Sequence, residues 1–300
     1  MILTQFKNIS TILRRINTYK SFDVARIIYN NNYFYFYSKN ILGKDIIDDE
    51  LIGGAKVKTT KFKYKNNTFN FEETTEDNLV FIKIHSFDGM NECIFIIIDK
   101  SMNIAILQSI SNFPECVKGN LTQGGIGSLL LQVVIKFLKT YKDNYEINKI
   151  VLKDNSHKTC PNYGYIDLSS LYFLTKGDTW YGKYGFKPYD STNEKPDKVG
   201  IKQYKKNQEI INNILLKDVP QIKSYIINAC KKLNMYEKNC DQLLTIYNKY
   251  IKQDTKLKNF LKDFVTYYNK TCSIFKEFYK ELENDIGLID FNGRSFYLDL

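Results

Sequence analysis

Three observations predict a mixed α/β chain of the α+β kind, with a mainly antiparallel sheet and flanking helices in residues 1–200 and a helical domain in residues 201–300. Short alternating apolar segments follow one another through residues 33–110. A glycine-rich turn then runs into a long amphipathic stretch from Thr122. After Pro196 the texture changes to long helical patterns rich in Lys, Asn and Leu. A length of 300 residues with 43% apolar side chains is enough for a sizeable core, and suggests two domains.

Taken in order, Leu3 to Tyr19 has the spacing of a basic amphipathic helix, with Phe6, Ile9, Leu13 and Ile16 on one side. Strands are predicted at Tyr33 to Tyr37, Ala55 to Tyr64, Thr68 to Phe71, Leu79 to His85, Glu92 to Ile98 and Ile104 to Ile110. Turns at Asn66-Asn67, Asp88-Gly89 and Ser101-Met102-Asn103 separate the later ones. In the second of these strands Lys56, Lys58, Lys61, Lys63 and Lys65 alternate with Val57, Phe62 and Tyr64, and the parity shift at Thr59-Thr60 predicts a bulge or bend. Such a lysine face keeps an edge strand from pairing with other chains, and phosphate binding is its other reading.

The next segment carries the clearest chemistry. Gly124, Gly125 and Gly127 have no Cβ, so the backbone there is free to take positive φ and to approach a bulky anion. Ile126, Leu130, Val133, Val134, Phe137, Leu138 and Tyr141 then give one buried stripe of a helix. The start of such a helix offers unpaired N–H groups and about half a positive charge, which suits a pyrophosphate. A glycine-rich turn of this kind also permits tight helix packing. The endings of a P-loop and of a dinucleotide-binding turn are both absent. A strand from Lys149 to Lys153, a short helix from Leu168 to Leu174 and the aromatic run Trp180-Tyr181-Gly182-Lys183-Tyr184-Gly185-Phe186 follow.

These pieces, in this order, resemble the GNAT superfamily of N-acetyltransferases over about residues 91–189. The family's signature is Gln/Arg-x-x-Gly-x-Gly/Ala at the start of a long helix. Gly125 and Gly127 match its two glycine positions and Ile126 lies between them; Thr122 stands at the Gln/Arg position, with Gln123 one residue away. The resemblance implies a GNAT-like fold that binds acetyl-CoA, with Thr122, Gln123, Gly124, Gly125, Ile126, Gly127 and Ser128 at its phosphates and Asn155 on the cofactor arm. It also implies that Tyr181 protonates the departing thiolate. The run from Trp180 to Phe186 is equally what a buried aromatic corner turning at Gly185 requires. His157 to Asp178 reads as an insertion relative to the family.

In such a site the strand before the turn ends beside the thioester and its backbone holds the pantetheine arm. Positioning then supplies much of the rate. An amine acceptor has a pKa of about 10.4 if lysine-like, so a group must take its proton, and Glu92, Glu115 and Asp154 are the candidate bases. The expected activity is transfer of an acetyl group from acetyl-CoA to an amine of a protein or small molecule. The alternatives are a catalytically inactive GNAT-fold protein of structural or virion-associated role and, third, a basic nucleic-acid-binding module.

Composition narrows the rest. The chain has four alanines and five prolines and is rich in Asn, Ile, Lys, Tyr and Phe, a bias of AT-rich genomes such as those of large DNA viruses, some protists and some bacteria. The net charge is +10; residues 201–300 hold 17 basic and 12 acidic side chains, so half of the excess lies there and it is spread rather than focused. No apolar run spans a bilayer and no secretory signal is evident, which leads to the expectation of an intracellular, cytoplasmic protein, in the host cytoplasm or virion if viral. Cys93, Cys116, Cys160, Cys230, Cys240 and Cys272 form no Cys-x-x-Cys pair and are expected as free, mostly buried thiols, with no metal site. Two histidines and no nucleophile elbow argue against a hydrolase.

Beyond Pro196 helices are predicted at Ile210 to Leu216, Val219 to Leu233, Cys240 to Ile251 and Leu257 to Leu282, with Pro220 at a helix start. These helices are a candidate surface for a protein partner. Asn292-Gly293 predicts a tight turn closing a hairpin of Leu288 to Phe291 with Ser295 to Leu300.

Overall fold

The computed structural model describes residues 24–29, 32–37, 57–118, 123–160, 164–235, 237–267 and 271–300. The predicted helix from Leu3 to Tyr19, the residues before Val57 in the lysine strand, and Thr122 lie outside them. The chain divides into two compact units, residues 1–58 with 74–77, and residues 59–73 with 78–300. In the first, β1 (Val24–Tyr29) and β2 (Asn32–Tyr37) form an antiparallel hairpin closed at Tyr29 and Asn32.

The second unit holds all of a nine-stranded sheet except Lys58 and residues 74–76. Its strands are β3 (Lys58–Tyr64), β4 (Asn67–Glu76), β5 (Leu79–His85), β6 (Glu92–Asp99), β7 (Ile104–Ile110), β8 (Lys149–Lys153), β11 (Lys187–Asp190), β12 (Lys195–Pro196) and β13 (Ser295–Asp299), and they lie in the order β12-β11-β13-β8-β7-β6-β5-β4-β3. The short pair β9 (His157–Thr159) and β10 (Tyr165–Asp167) stands apart from that sheet. Helix α1 (Gln123–Tyr145) connects β7 to β8, which run parallel; β5–β6, β6–β7, β8–β13, β11–β13 and β11–β12 are antiparallel. The architecture is thus mixed α/β with a mostly antiparallel sheet.

Burial explains the arrangement. Every residue of β6 from Cys93 to Asp99 is buried, so this strand is covered on both faces. The predicted stripe of α1 is its core face: Ile126, Leu130, Val133, Val134, Phe137 and Leu138 are buried, and Phe137 stacks on Phe71 of β4 with ring centroids 3.6 Å apart. On β3, at one end of the strand order, Lys61 and Lys63 are exposed while Phe62 and Tyr64 pack inward, as a lysine-faced edge requires.

Helices α2 (Leu168–Lys176), α3 (Lys198–Asn213), α4 (Gln221–Lys232), α5 (Glu237–Ile251), α6 (Leu257–Tyr267), α7 (Thr271–Lys276) and α8 (Tyr279–Asp285) make up most of the rest. The single helix expected from Leu257 to Leu282 is three. Phe278, between α7 and α8, has φ −137°, outside helical space, although its side chain continues the apolar stripe that suggested one helix. The expected terminal hairpin is also corrected. The turn exists, with Gly293 at φ 72°, but residues 288–291 form no strand; Ser295–Asp299 instead inserts between β8 and β11. Phe296 is wholly buried there, which gives the strand its reason to join the sheet.

The cysteines differ from expectation too. Cys93–Cys116 and Cys160–Cys272 are disulfides, and only Cys230 and Cys240 are free. Partners that lie 23 and 112 residues apart leave no spacing signal in the sequence.

Candidate active site

The parallel pair defines the site. β7 and β8 are in register from Ile104–Lys149 to Leu107–Leu152 and go no further. At the same point the pairing of β7 with β6 shifts: Leu107 faces Ile96 and Ser109 faces Phe95, leaving Gln108 as an extra residue, a bulge that bends the strand. Ser109 and Ile110 therefore stay paired with β6 on one side, and residues 108–110 pair with no described strand on the other. Backbone amides on that open edge need partners.

Helix α1 begins at Gln123, so Gly124, Gly125 and Gly127 are its first turns rather than a turn before it. This corrects the expected backbone: Gly125 and Gly127 are helical and not at positive φ. Helical glycine costs about 1 kcal/mol relative to alanine. At Gly127 a Cβ would meet only the Trp180 ring, at 3.7 Å, an ordinary contact. Packing within the chain does not require glycine at that position. Ile126 is buried and Ser128 half-buried.

Trp180 joins the helix start to the aromatic corner. Its ring is 4.7 Å from that of Tyr181, which in turn packs edge-on to Phe186, with Gly185 at φ 90° making the turn. Behind them Tyr204 of α3 donates to Asp178, lies 3.0 Å from the Thr179 hydroxyl and accepts from the Thr179 N–H, while Thr179 Oγ1 accepts from the Gly182 N–H at 2.9 Å. This network fixes the backbone on both sides of Tyr181. A Cβ on Gly182 would lie 1.9 Å from the Tyr204 hydroxyl, so only glycine fits. Sequence reasoning missed Asp178 and Tyr204, because a tyrosine on a helical stripe reads as core.

Asp154 sits at the end of β8, wholly buried. Its Oδ1 accepts from the N–H (3.1 Å) and hydroxyl of Ser156, and its Oδ2 has no partner among the described residues. Burial pushes the carboxyl up to about 6, against the Ser156 bonds and with help from Asp167 and Asp290. Burial likewise holds the Tyr181 phenol well above its ordinary range, and the charge of Asp154 adds to that. The two groups are therefore electrostatic neighbours.

Asn155 is exposed beside the turn at Gly293, where a Cβ would come within 3.9 Å of its Oδ1. Glu92 opens β6; its Oε1 accepts from Ser109, just past the bulge, and its Oε2 pairs with Lys83 at 3.1 Å. Glu115 is exposed in the 3-10 turn after β7, with its carbonyl bonded to the Phe87 N–H. The Cys93–Cys116 disulfide, Cα atoms 5.6 Å apart, ties these two glutamates to one end of the sheet. Among the predicted residues, then, the structure joins Gly127 to Tyr181 through Trp180, sets the charge of Asp154 against Tyr181, and joins Glu92 to Glu115 through the disulfide.

Among the described residues no cluster of His, Cys, Asp and Glu could hold a metal, and no helix is long and apolar enough to cross a membrane. No protein-family model, no curated protein and no solved structure matches the chain.

Proposed function

We propose that this chain is an acyl-CoA-dependent N-acetyltransferase with a GNAT-like fold, transferring an acetyl group from acetyl-CoA to an amine. The observation that carries the reading is the parting of β7 and β8 after Leu107 and Leu152. It leaves an open strand edge at 108–110, with the helical glycines of α1 and the Trp180–Tyr181 corner at the sequence positions that the family resemblance gives to phosphate and thiolate. A pantetheine arm has two amides, which match such an edge as an added strand does. The N-terminal turn of α1 suits the pyrophosphate.

The chemistry then follows from the residues present. The amine lone pair attacks the thioester carbon and the C–S bond breaks as the adduct collapses. A carboxylate takes the nitrogen's proton, with Glu92 on the β6 side and Asp154 on the β8 side as candidates. Tyr181, held protonated by burial, gives its proton to the leaving sulfur, and a protonated Asp154 is the candidate to restore it. One observation favours the rival reading of an inactive, structural protein: Tyr181 is only 8% exposed, as a purely packing residue would be.

Replacing Gly125 with leucine separates the two. Under this reading the backbone approach is blocked, so CoA binding is lost in calorimetry while the melting temperature barely falls. Undiminished affinity in Gly125→Leu would remove the phosphate assignment.

A further inference from the structure

Beside the aromatic corner Lys183 lies among three rings, and Lys176 stands on α2, which packs against α6, the helix that carries Lys262. The Lys183 ammonium lies 4.7 Å from the ring centroid of Tyr184, 5.2 Å from that of Tyr172 and 5.4 Å from that of Trp180. Lys176, in the last turn of α2, is held below the ordinary lysine range by partial burial and then by the positive charges of Lys262 and Lys183. All three side chains are exposed, and none makes an ion pair among the described residues. The charge of Asp263 opposes theirs on Lys176, and its Oδ2 accepts from the Tyr250 hydroxyl at 2.5 Å.

Like charges brought together this way cost energy in the free protein, whereas an anion among them reverses the sign. The half-buried rings of Tyr172 and Tyr184 suit a flat base, which stacks on such rings and on the cation between them, while the Trp180 ring is itself buried. Trp180 links this patch to the start of α1, because one edge of its ring covers Gly127 while Lys183 lies over the ring.

We infer that Lys176, Lys183 and Lys262, with Tyr172, Trp180 and Tyr184, form a subsite for a phosphorylated nucleoside, the 3′-phosphoadenosine end of CoA. This rests on the acyl-CoA reading above and adds to it the group that selects CoA over shorter pantetheine thioesters. The inserted segment that carries Tyr172 and Lys176 thereby acquires a role.

The test is calorimetric titration of the full chain with CoA and with dephospho-CoA, which lacks only the 3′-phosphate. The wild type should bind CoA about tenfold more tightly, the scale of one charge-assisted contact. Lys183→Gln and, separately, Lys262→Glu should bring CoA down to the dephospho-CoA value and leave dephospho-CoA within about twofold of wild type by the same reasoning. Equal binding of the two ligands by wild type, or equal loss of both in the variants, would overturn the subsite alone. Failure of both ligands to bind would overturn the acyl-CoA reading together with it. An oligonucleotide that binds at these lysines and is not displaced by CoA would also overturn the assignment.

Discussion

The two flanks of β7 are built differently. On one side β4, β5 and β6 form a meander of neighbours in sequence, with a mainly apolar interior of Phe69, Phe71, Ile82, Ile84, Ile94, Ile96 and Ile98 and two buried acids, Glu73 and Asp99. On the other, β8, β13 and β11 come from far-apart segments, and the region behind them buries Asp154, Asp167, Asp178, Tyr204 and Glu283. Apolar burial stabilises the first flank. The second places ionisable groups where water would otherwise solvate them, which costs stability and shifts their titration. The sheet thus sets a mainly apolar flank beside one richer in buried ionisable groups, and the proposed cofactor lies at the seam.

Each disulfide belongs to one of these regions, which gives the largest expected contrast. Cys93–Cys116 closes a short loop on the meander side, and Cys160–Cys272 ties the inserted segment to α7 over 112 residues. Loop-closure entropy predicts about 3 kcal/mol for the first and about 4.7 kcal/mol for the second. Urea unfolding of Cys93→Ser and Cys272→Ser variants should rank them so; the reverse order would mean that strain or residual structure dominates.

Proton delivery to the leaving group should depend on the second flank. Tyr181→Phe keeps the ring's packing and removes the proton, so steady-state turnover should fall about a hundredfold with the Kd for acetyl-CoA unchanged. Unaltered turnover would make Tyr181 structural. Asp154 sharpens the comparison through pH. Its carboxyl is raised in the folded state from an ordinary value of 3.8 to about 6, so the folded protein holds a proton that the unfolded chain has released between those values. Stability from this group is therefore greatest at low pH and declines as pH rises toward and through 6. Asp154→Asn should flatten that part of the melting-temperature profile and raise stability at pH 8, while a comparable change on the meander side leaves the profile alone. The smallest effect is expected at Gly127→Ala, which removes a helical glycine where a Cβ fits: stability should rise by about 0.5–1 kcal/mol, and CoA affinity should drop. A rise in stability with intact affinity would show that no ligand approaches that backbone.

What the sequence disclosed divides along the same line. Leu79–His85, Ile104–Ile110 and Lys149–Lys153 have the bounds expected of them, because apolar periodicity and turn residues are local signals. Helix α3 starts at Lys198, twelve residues before the expected Ile210, since Asp197 caps it and its first turns bury little besides Gly200, Tyr204 and Asn207. The place of β13, both disulfides, and the Asp178–Tyr204 brace on Tyr181 depend on contacts between distant residues, and no local pattern encodes those. That the three glycines lie inside the helix rather than before it is not legible, since glycine marks turns more often than helix interiors.

The central claim is tested most directly by a thermal-shift titration of the full chain with CoA and acetyl-CoA, with ATP and NAD as controls. A ligand at a hundred times its Kd adds about 2.7 kcal/mol of stability. The account predicts a rise in melting temperature with CoA and acetyl-CoA that neither control reproduces. No shift with either thioester carrier, at concentrations up to millimolar, would contradict it and leave the buried Tyr181 and Asp154 as parts of a structural protein.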